Sequence, residues 1–557
     1  MSRGMRETVE SIAIALALAF LFKTFEAEAY VIPTGSMAPT LMGRHKDVVC
    51  PQCGFQYTAS SSDETDRNGY EHHDPNRQVV ACTCPICRFT MSTEPSNPQV
   101  EGRNPNPSYS GDRIWVSKVT YQFTDPRRFD VMVFRYPDEA ETYYIKRLVG
   151  LPNETIKIQH GDLFVKGPQE EDFTIVRKSP EKLRAMAQLV HDSDYVSEAL
   201  LKHNWPTRWQ EWGLTEQNLW QVSDDTRSYS IDGAHPGDAW IRYEHTVPSE
   251  ENWFRELWPP EVEARPQLIT DFYAFNTRIL RQDRGPEPQA LGMHWVGDLM
   301  LDCEFEVRND QGTLMLDLVK GGRHFGCQID VATGKATLSI DGVSSFHPTA
   351  DTSLRGPGTY QVAFANADRQ LTLWIDGKPV EFSEPTSYDD LGNDSPRSTP
   401  DDPGDLAPVG IGSRGLSLEV RHLKVLRDIY YIADKNVFAR EPISDYPERH
   451  FLMNLDRRKL ADFFASPDRW VNQHGRSVFD ARKSETFVLG PDQFFVLGDN
   501  SPASSDARLW RDNYVSRDLL VGKALLIYWP HPLRLFIPGT DVSLGIIPNV
   551  GEMELIR

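Results

Sequence analysis

In LMLDCEFEV at 299–307 apolar and polar residues alternate one for one from Leu301 onward, so that Leu301, Cys303, Phe305 and Val307 fall on one face. A two-residue period cannot build an amphipathic helix, whose apolar stripe recurs every three to four residues. The same design returns in HFGCQIDVATGKATLSIDG, QLTLWIDGKPVEF and LSLEVRHLKV, with Gly and Asp at the turns. In the first of these Cys327, Ile329 and Val331 share a face, and ATGK joins two strands. Short alternating strands at close spacing predict an antiparallel sandwich over 226–432, with Cys303 and Cys327 buried in it.

A second β style flanks that block. DRIWVSKVTYQF and FDVMVFRYP are rich in β-branched and aromatic residues and read as strands. TYYIKRLVGLPNETIKIQHGDLFVKG adds two or three more, turning at LPNE and HGD. The style of this unit, 110–167, returns at 485–557 in TFVLGPDQFFVLGDNSPASSDARLW and LLVGKALLIYWP. One fold therefore begins before residue 42, resumes near 110 and closes after 485, with two insertions between. A chain of 557 residues is too long for one core. SPEKLRAMAQLVHDSDYVSEALLKHN (179–204) predicts a helix with Leu183, Met186, Leu189 and Val190 on one face. The tract 384–408, rich in Pro, Gly, Ser and Asp, reads as a long surface loop without a packed core. The net charge of −21 argues against a nucleic-acid partner held by a basic surface.

Eleven unbroken apolar residues, Ile12 to Phe22, follow Arg3 and Arg6 and precede Glu26 and Glu28. A helix needs about 20 mostly apolar residues to cross a bilayer. Val9 and Phe25 extend the run, with Lys23 snorkelling to the interface. The flanking charges favour a cytoplasmic N-terminus. With AEA at 27–29, the segment reads equally as a retained anchor or a cleavable secretory signal. Both place the remainder outside the cytoplasm. Trp115, Tyr121 and Phe123, close to this segment, fit either sheet-core packing or a bilayer interface.

Five of seven cysteines cluster early. Cys50 and Cys53 in CPQCG, and Cys84 and Cys87 in CPIC, form two knuckles thirty residues apart. Two such knuckles supply four thiolates to one tetrahedral zinc, a zinc-ribbon pattern that closes the shell against catalysis. An extracytoplasmic chain also permits disulfides. Cys82, His72 and His73 leave the ligand set open.

In VIPTGSMAPTL, Pro33 and Gly35 set Ser36 in a rigid strand-to-turn geometry. A serine hydroxyl needs an adjacent base to act as a nucleophile. Lys146, in YYIKRLVG, shares a strand face with Tyr144 and Leu148. Desolvation there lowers an ammonium pKa toward neutrality, and Ser–Lys is a recognised variant of the serine-hydrolase arrangement. Spacing alone does not join residue 36 to residue 146.

PTGSMAPTL, GDRIWVSK, FDVMVFRYP, YYIKRLVGLPNETI and FFVLGDNSPASSDAR, in that order, resemble the boxes of type I signal peptidase over about 1–41, 110–167 and 486–535. The resemblance implies a mainly β fold: an N-terminal transmembrane helix and an all-β catalytic domain, here interrupted by a zinc-ribbon-like insertion and a jelly-roll insertion. It also implies an enzyme of the extracytoplasmic face of a bacterial-type plasma membrane, with the anchor retained. Its substrates would be signal-peptide-bearing precursors, cut after Ala-x-Ala sites without a catalytic cofactor; the zinc would be structural. Matching positions make Ser36 the nucleophile, Lys146 the general base and Thr34 the oxyanion partner of the Ser36 amide. Ser504 falls where a serine orients the lysine, and Asp506 and Arg508 where a charged pair braces the loop. Tyr30, Ile32, Pro33 and Ile145 fall where small S1 and S3 pockets admit alanine. Ser501, Pro502 and Ala503 replace the usual Arg-Asp-Asn of the last box, which implies a differently braced loop.

LTLWIDGKPV and GIGSRGLSLEVRHLKVL further resemble the closing strands of concanavalin-like jelly rolls, which makes an envelope glycan or protein a candidate ligand. The expected partition is an anchor at 1–28, catalytic stretches at 29–41, 101–167 and 485–557, and the zinc-ribbon-like insertion at 42–100. A helical or irregular insertion at 168–225, the jelly roll at 226–432 and a connector at 433–484 complete it. Competing readings are a self-cleaving Ser–Lys protease and a catalytically silent scaffold displaying the jelly roll. AEA at 27–29 is also a site that one copy could cut in another.

Overall fold

The computed structural model describes residues 12, 27–66, 72, 74–94, 106–213, 218–235, 237–253, 264–283, 285–286, 288–435, 443–447, 449–530, 532–536, 543–548 and 550–557. The anchor expected at 1–28 lies outside them except for Ile12, Ala27 and Glu28, as does His73. Among the described residues no helix is long and apolar enough to cross a membrane.

Strands from three distant stretches form one seven-stranded antiparallel sheet. Its order is Ala27–Val31, Arg113–Ser117, Leu520–Trp529, Val131–Tyr136, Glu139–Gly150, Gln493–Leu497 and Val515–Ser516. A four-stranded sheet, Thr174–Ile175, Asp162–Lys166, Thr155–Gln159 and Ser484–Val488, supplies the facing layer. Met132, Phe134, Leu148, Ile156, Ile158, Phe487 and Phe495 fill the core between them. AEA is not a free segment: Ala27 and Ala29 pair with Ser117 and Trp115.

DRIWVSKVTYQF is not one strand. It stops at Ser117, and Thr120–Phe123 forms a helical turn in which the Thr124 N–H reaches the Thr120 carbonyl at 2.9 Å. The turn leaves Phe123 84% exposed, and Trp115 is 41% exposed, so neither packs in the sheet core. Tyr121 is half-buried and donates to Asp130.

The helix expected over 179–204 is three elements: helix Pro180–Met186, strand Gln188–Asp192 and helix Glu198–Lys202. Ser179 and Ser197 cap the two helices. Between them Gln188–Asp192 adds to the edge of Leu418–Arg427, and sheet pairing overrides the local helical period. The sandwich thus begins before 226. Its first sheet includes Trp220–Val222, Tyr229–Ile231, Leu299–Val307 and Gly358–Ala367, and its second includes Trp209–Trp212, Asp238–Tyr243, Thr313–Lys320 and Arg323–Asp330. Leu301, Cys303, Phe305 and Val307 face Leu316, Cys327 and Ile329 in one core, and both cysteines are fully buried.

Two further expectations change. The tract 384–408 folds against the sandwich: buried Asp405 accepts from the N–H groups of Gly321, Gly322 and Arg397, and Tyr388 donates to Asn366. An Asp that satisfies backbone donors lets a polar tract pack. The connector at 433–484 carries helix Arg457–Phe464, capped by Asp456. Its Leu460, Phe463 and Phe464 join Trp470, Phe479, Leu268 and Trp295 in a separate core.

Candidate active site and four-cysteine site

Strand Ala27–Val31 runs into a 3₁₀ turn, Gly35–Met37, in which the Ala38 N–H closes on the Gly35 carbonyl at 3.1 Å. Gly35 has no room for a side chain, since a Cβ there would lie 2.0 Å from the Phe275 ring. Ser36 is 8% exposed on this turn. Strand Glu139–Gly150 brings Lys146 to it, with Nζ 2.8 Å from Ser36 Oγ and 2.9 Å from the Ile145 carbonyl. Burial pushes the Lys146 pKa down to about 8, although Asp506 and Asp499 pull the other way. As an ammonium Lys146 donates to Ser36 Oγ; once neutral, it can accept the hydroxyl proton over the same distance.

The segment Gly498–Arg508 closes over this pair. Bare Gly498 admits both the Ser36 carbonyl and Ser504 Oγ, which would lie 2.4 and 2.2 Å from a Cβ there. Arg508 clamps Asp506 through two 2.8 Å bonds, and Asp506 accepts the Gly498 N–H at 3.0 Å. Both side chains are fully buried. Ser501 bridges what the altered box leaves open: its Oγ accepts from Arg508 at 2.9 Å and from the Ile432 N–H at 3.0 Å. Ser504 sits beside the pair, but its buried Oγ makes no hydrogen bond among the described residues, and the expected contact to Lys146 is not made.

Thr34 is exposed at the start of the turn. Ile32 is buried with Met37, Ile114 and Val133; Tyr30 and Ile145 flank that cluster, and Pro33 is exposed beside it. Arg147, Asp499, Asn500, Phe275 and Asn276 were not singled out from the sequence. Arg147 points away from Lys146 on the same strand and holds Asp499 by bonds of 2.7 and 2.6 Å, both side chains fully buried. The Lys-Arg and Gly-Asp-Asn pairs within the boxes were the available signal for that contact.

Cys50, Cys53, Cys84 and Cys87 place their Sγ atoms within 4.8 Å of one another. Their two knuckles are hydrogen-bonded alike. Cys50 N–H reaches the Phe55 carbonyl and Gly54 N–H returns to Cys50, while Cys84 pairs with Phe89 and Arg88 in the same way. Gly54 and Arg88 occupy the left-handed region that this turn demands, at φ +77° and +58°. The cross-knuckle Sγ separations, 3.4 Å for Cys50–Cys87 and 3.7 Å for Cys53–Cys84, far exceed a disulfide. They approach the edge of about 3.8 Å expected when four thiolates lie 2.3 Å from one zinc. Cys82 faces Tyr57 instead, at 3.4 Å, and His72 bonds Arg77 at the surface.

On the sandwich, a groove of about 720 Å³ is lined by Trp212, Trp240, Arg242, Asp317, His324 and Gln328 among others.

The family model described as "Signal peptidase, peptidase S26" matches residues 78–238 and 369–529. Signal peptidase I V of Bacillus subtilis is 40% identical over 141 residues, covering 25% of this chain and 74% of that protein. Signal peptidase I of Leptolyngbya laminosa is 37% identical over 92 residues, covering 14% and 45%. The chain spans about half the length of this relative and of signal peptidase I P of B. subtilis subsp. natto, which it covers to 47%. Among solved structures, carbohydrate binding module CBM66 from Bacillus subtilis aligns with 40% of this chain and 93% of its own, at 10% identity and a TM-score of 0.20.

Proposed function

The chain belongs to the signal peptidase family, peptidase S26, and on that premise we propose that it removes signal peptides from secreted precursors through a Ser36–Lys146 dyad. The 2.8 Å approach of Lys146 Nζ to Ser36 Oγ carries the reading. Neutral Lys146 takes the Ser36 proton as Oγ attacks the carbonyl carbon of the −1 residue. The Ser36 amide and the Thr34 hydroxyl donate to the oxyanion. Lys146, now an ammonium, returns its proton to the departing amine. A water then gives its proton to Lys146 as it attacks the acyl ester, and the signal peptide leaves as a free carboxylate while Ser36 is restored. Asp506 and Arg508 hold Gly498, and with it the Ser36 carbonyl, in place. Tyr30, Ile32, Pro33 and Ile145 shape the pockets for the alanines, and Ser504 packs against Gly498 beside the Ser36 carbonyl.

The protein works on the extracytoplasmic face, anchored by the apolar segment that precedes strand Ala27–Val31, with its N-terminus inside. Exposed Trp115 and Phe123, with Val31 on the neighbouring strand, support a bilayer beside the site. The test uses full-length protein in lipid vesicles with an Ala-x-Ala precursor. A single cut after the second alanine is expected, and a folded protein that leaves the precursor intact would refute the reading.

The four-cysteine site fits a structural zinc held by Cys50, Cys53, Cys84 and Cys87, which would tie the two knuckles together. Elemental analysis of purified protein is expected to find about one zinc per chain, lost in Cys84→Ser. A metal-free protein with cysteines resistant to thiol reagents would favour disulfides instead.

A further inference from the structure

The nucleophile turn is braced by Asn500 of the last box and, behind it, by residues that lie outside the catalytic strands and the five boxes. The 3₁₀ turn Ala274–Asn276 lies in the large insertion, and Ala274, Phe275, Asn276 and Thr277 are all buried. Asn276 and Asn500 form a reciprocal amide pair: Asn276 Nδ2 donates to Asn500 Oδ1 at 2.7 Å, and Asn500 Nδ2 to Asn276 Oδ1 at 2.8 Å. The Asn500 amide also donates to the Gly35 carbonyl at 3.0 Å, and its backbone N–H to the Ser36 carbonyl at 3.1 Å. One side chain of the insertion therefore fixes the residue that holds both carbonyls of the Gly35–Ser36 step. Phe275 packs on the bare Gly35 beside them.

The inserted turn is itself held from two sides. Thr277 Oγ1 accepts the Thr83 N–H at 2.9 Å, one residue before Cys84, and Ile279–Leu280 pairs with Val79–Thr83. From the sandwich, Arg427 donates to the Asp271 and Phe272 carbonyls at 3.0 and 3.3 Å. The turn thus has little freedom of its own, which a positioning element requires.

We propose that Asn276 is a positioning residue of the peptidase: through Asn500 it sets the Gly35–Ser36 backbone, and so the aim of Ser36 Oγ at Lys146 and of the Ser36 N–H at the oxyanion. The inserted segment is then a working part of the active site. Without Asn276 the Asn500 amide loses its partner and can rotate away from the Gly35 carbonyl. Displacements of about 1 Å at reacting atoms cost on the order of 100-fold in rate. The inference rests on the Ser36–Lys146 reading, and wild-type cleavage in the same assay separates the two: an inactive wild type sinks that reading, not this one alone.

The test compares Asn276→Ala, Asn500→Ala and the double variant in vesicles, with unfolding temperature and zinc content as folding controls. Asn276→Ala is expected to lower kcat about 10- to 100-fold with KM within about two-fold, because ground-state binding does not use the bond. The double variant should be no slower than Asn500→Ala, the signature of one shared interaction. If alanine unfolds the chain, Asn276→Leu, of similar volume, decides by the same kcat criterion. A folded variant at Asn276 with wild-type kcat, or with only KM raised, would overturn the proposal. So would a double variant whose loss is the product of the two single losses.

Discussion

Replacing Lys146 with alanine is expected to lower kcat/KM for an Ala-x-Ala precursor by about 10³-fold or more while leaving the chain folded. In the proposed mechanism the amine 2.8 Å from Ser36 Oγ takes the proton in both acylation and deacylation, and among the described residues no other base is hydrogen-bonded to that hydroxyl. The pH profile of the wild type carries the same information. Burial lowers the Lys146 pKa to about 8, so the reactive neutral form grows as pH rises through 8 and levels off above it. At pH 6 only about 1% of the lysines are neutral, and kcat/KM should be lower by about 100-fold than at its plateau. Lys146→Arg keeps the charge but cannot become neutral, and it should be as inactive as alanine. A flat profile between pH 6 and 10, or substantial cleavage by Lys146→Ala, would remove Lys146 from the mechanism.

Arg147→Ala is expected to destabilise the fold by about 3–5 kcal/mol, the usual cost of leaving one member of a buried ion pair alone. Arg147 and Asp499 are both fully inaccessible, and Arg147 also donates to the carbonyls of Phe129 and Arg557 at 2.9 and 3.0 Å. Removing it leaves the buried Asp499 carboxylate without its ion-pair partner, with Thr40 Oγ1 as a remaining donor, and takes one donor from each of two backbone oxygens. Urea unfolding of wild type and variant measures the loss. The exposed Glu198–Lys202 pair is the control, because pairs of that kind contribute at most about 0.5 kcal/mol. A shift for Arg147→Ala no larger than that of Lys202→Ala would show the buried pair to be energetically idle.

Much of the site was readable because its parts are local motifs. Gly35-Ser36-Met37, Lys146 with its apolar strand partners, and the Gly498–Arg508 segment each announce a geometry through neighbours in sequence. The two cysteine knuckles did the same. Their spacing favours Cys50, Cys53, Cys84 and Cys87 but leaves the fifth sulfur open, and only the folded strand shows Cys82 turned toward Tyr57. Trp115 and Phe123 were equally undecided, since an aromatic residue on a strand or turn reads alike whether its face is covered or open.

The sequence by itself determined the β character of the chain, the alternation that buries Cys303 and Cys327, and the family of the catalytic core, because a period of two and short boxes of fixed residue types are local properties. Tertiary structure alone decided that 188–192 is a strand and not the middle of a helix, since its hydrogen bonds are supplied by Leu418–Arg427 more than two hundred residues away. It alone decided that Asn276 meets Asn500 across 224 positions, behind Ser36. Contacts of that kind depend on how separately folded pieces dock, and no period or spacing within either piece encodes them.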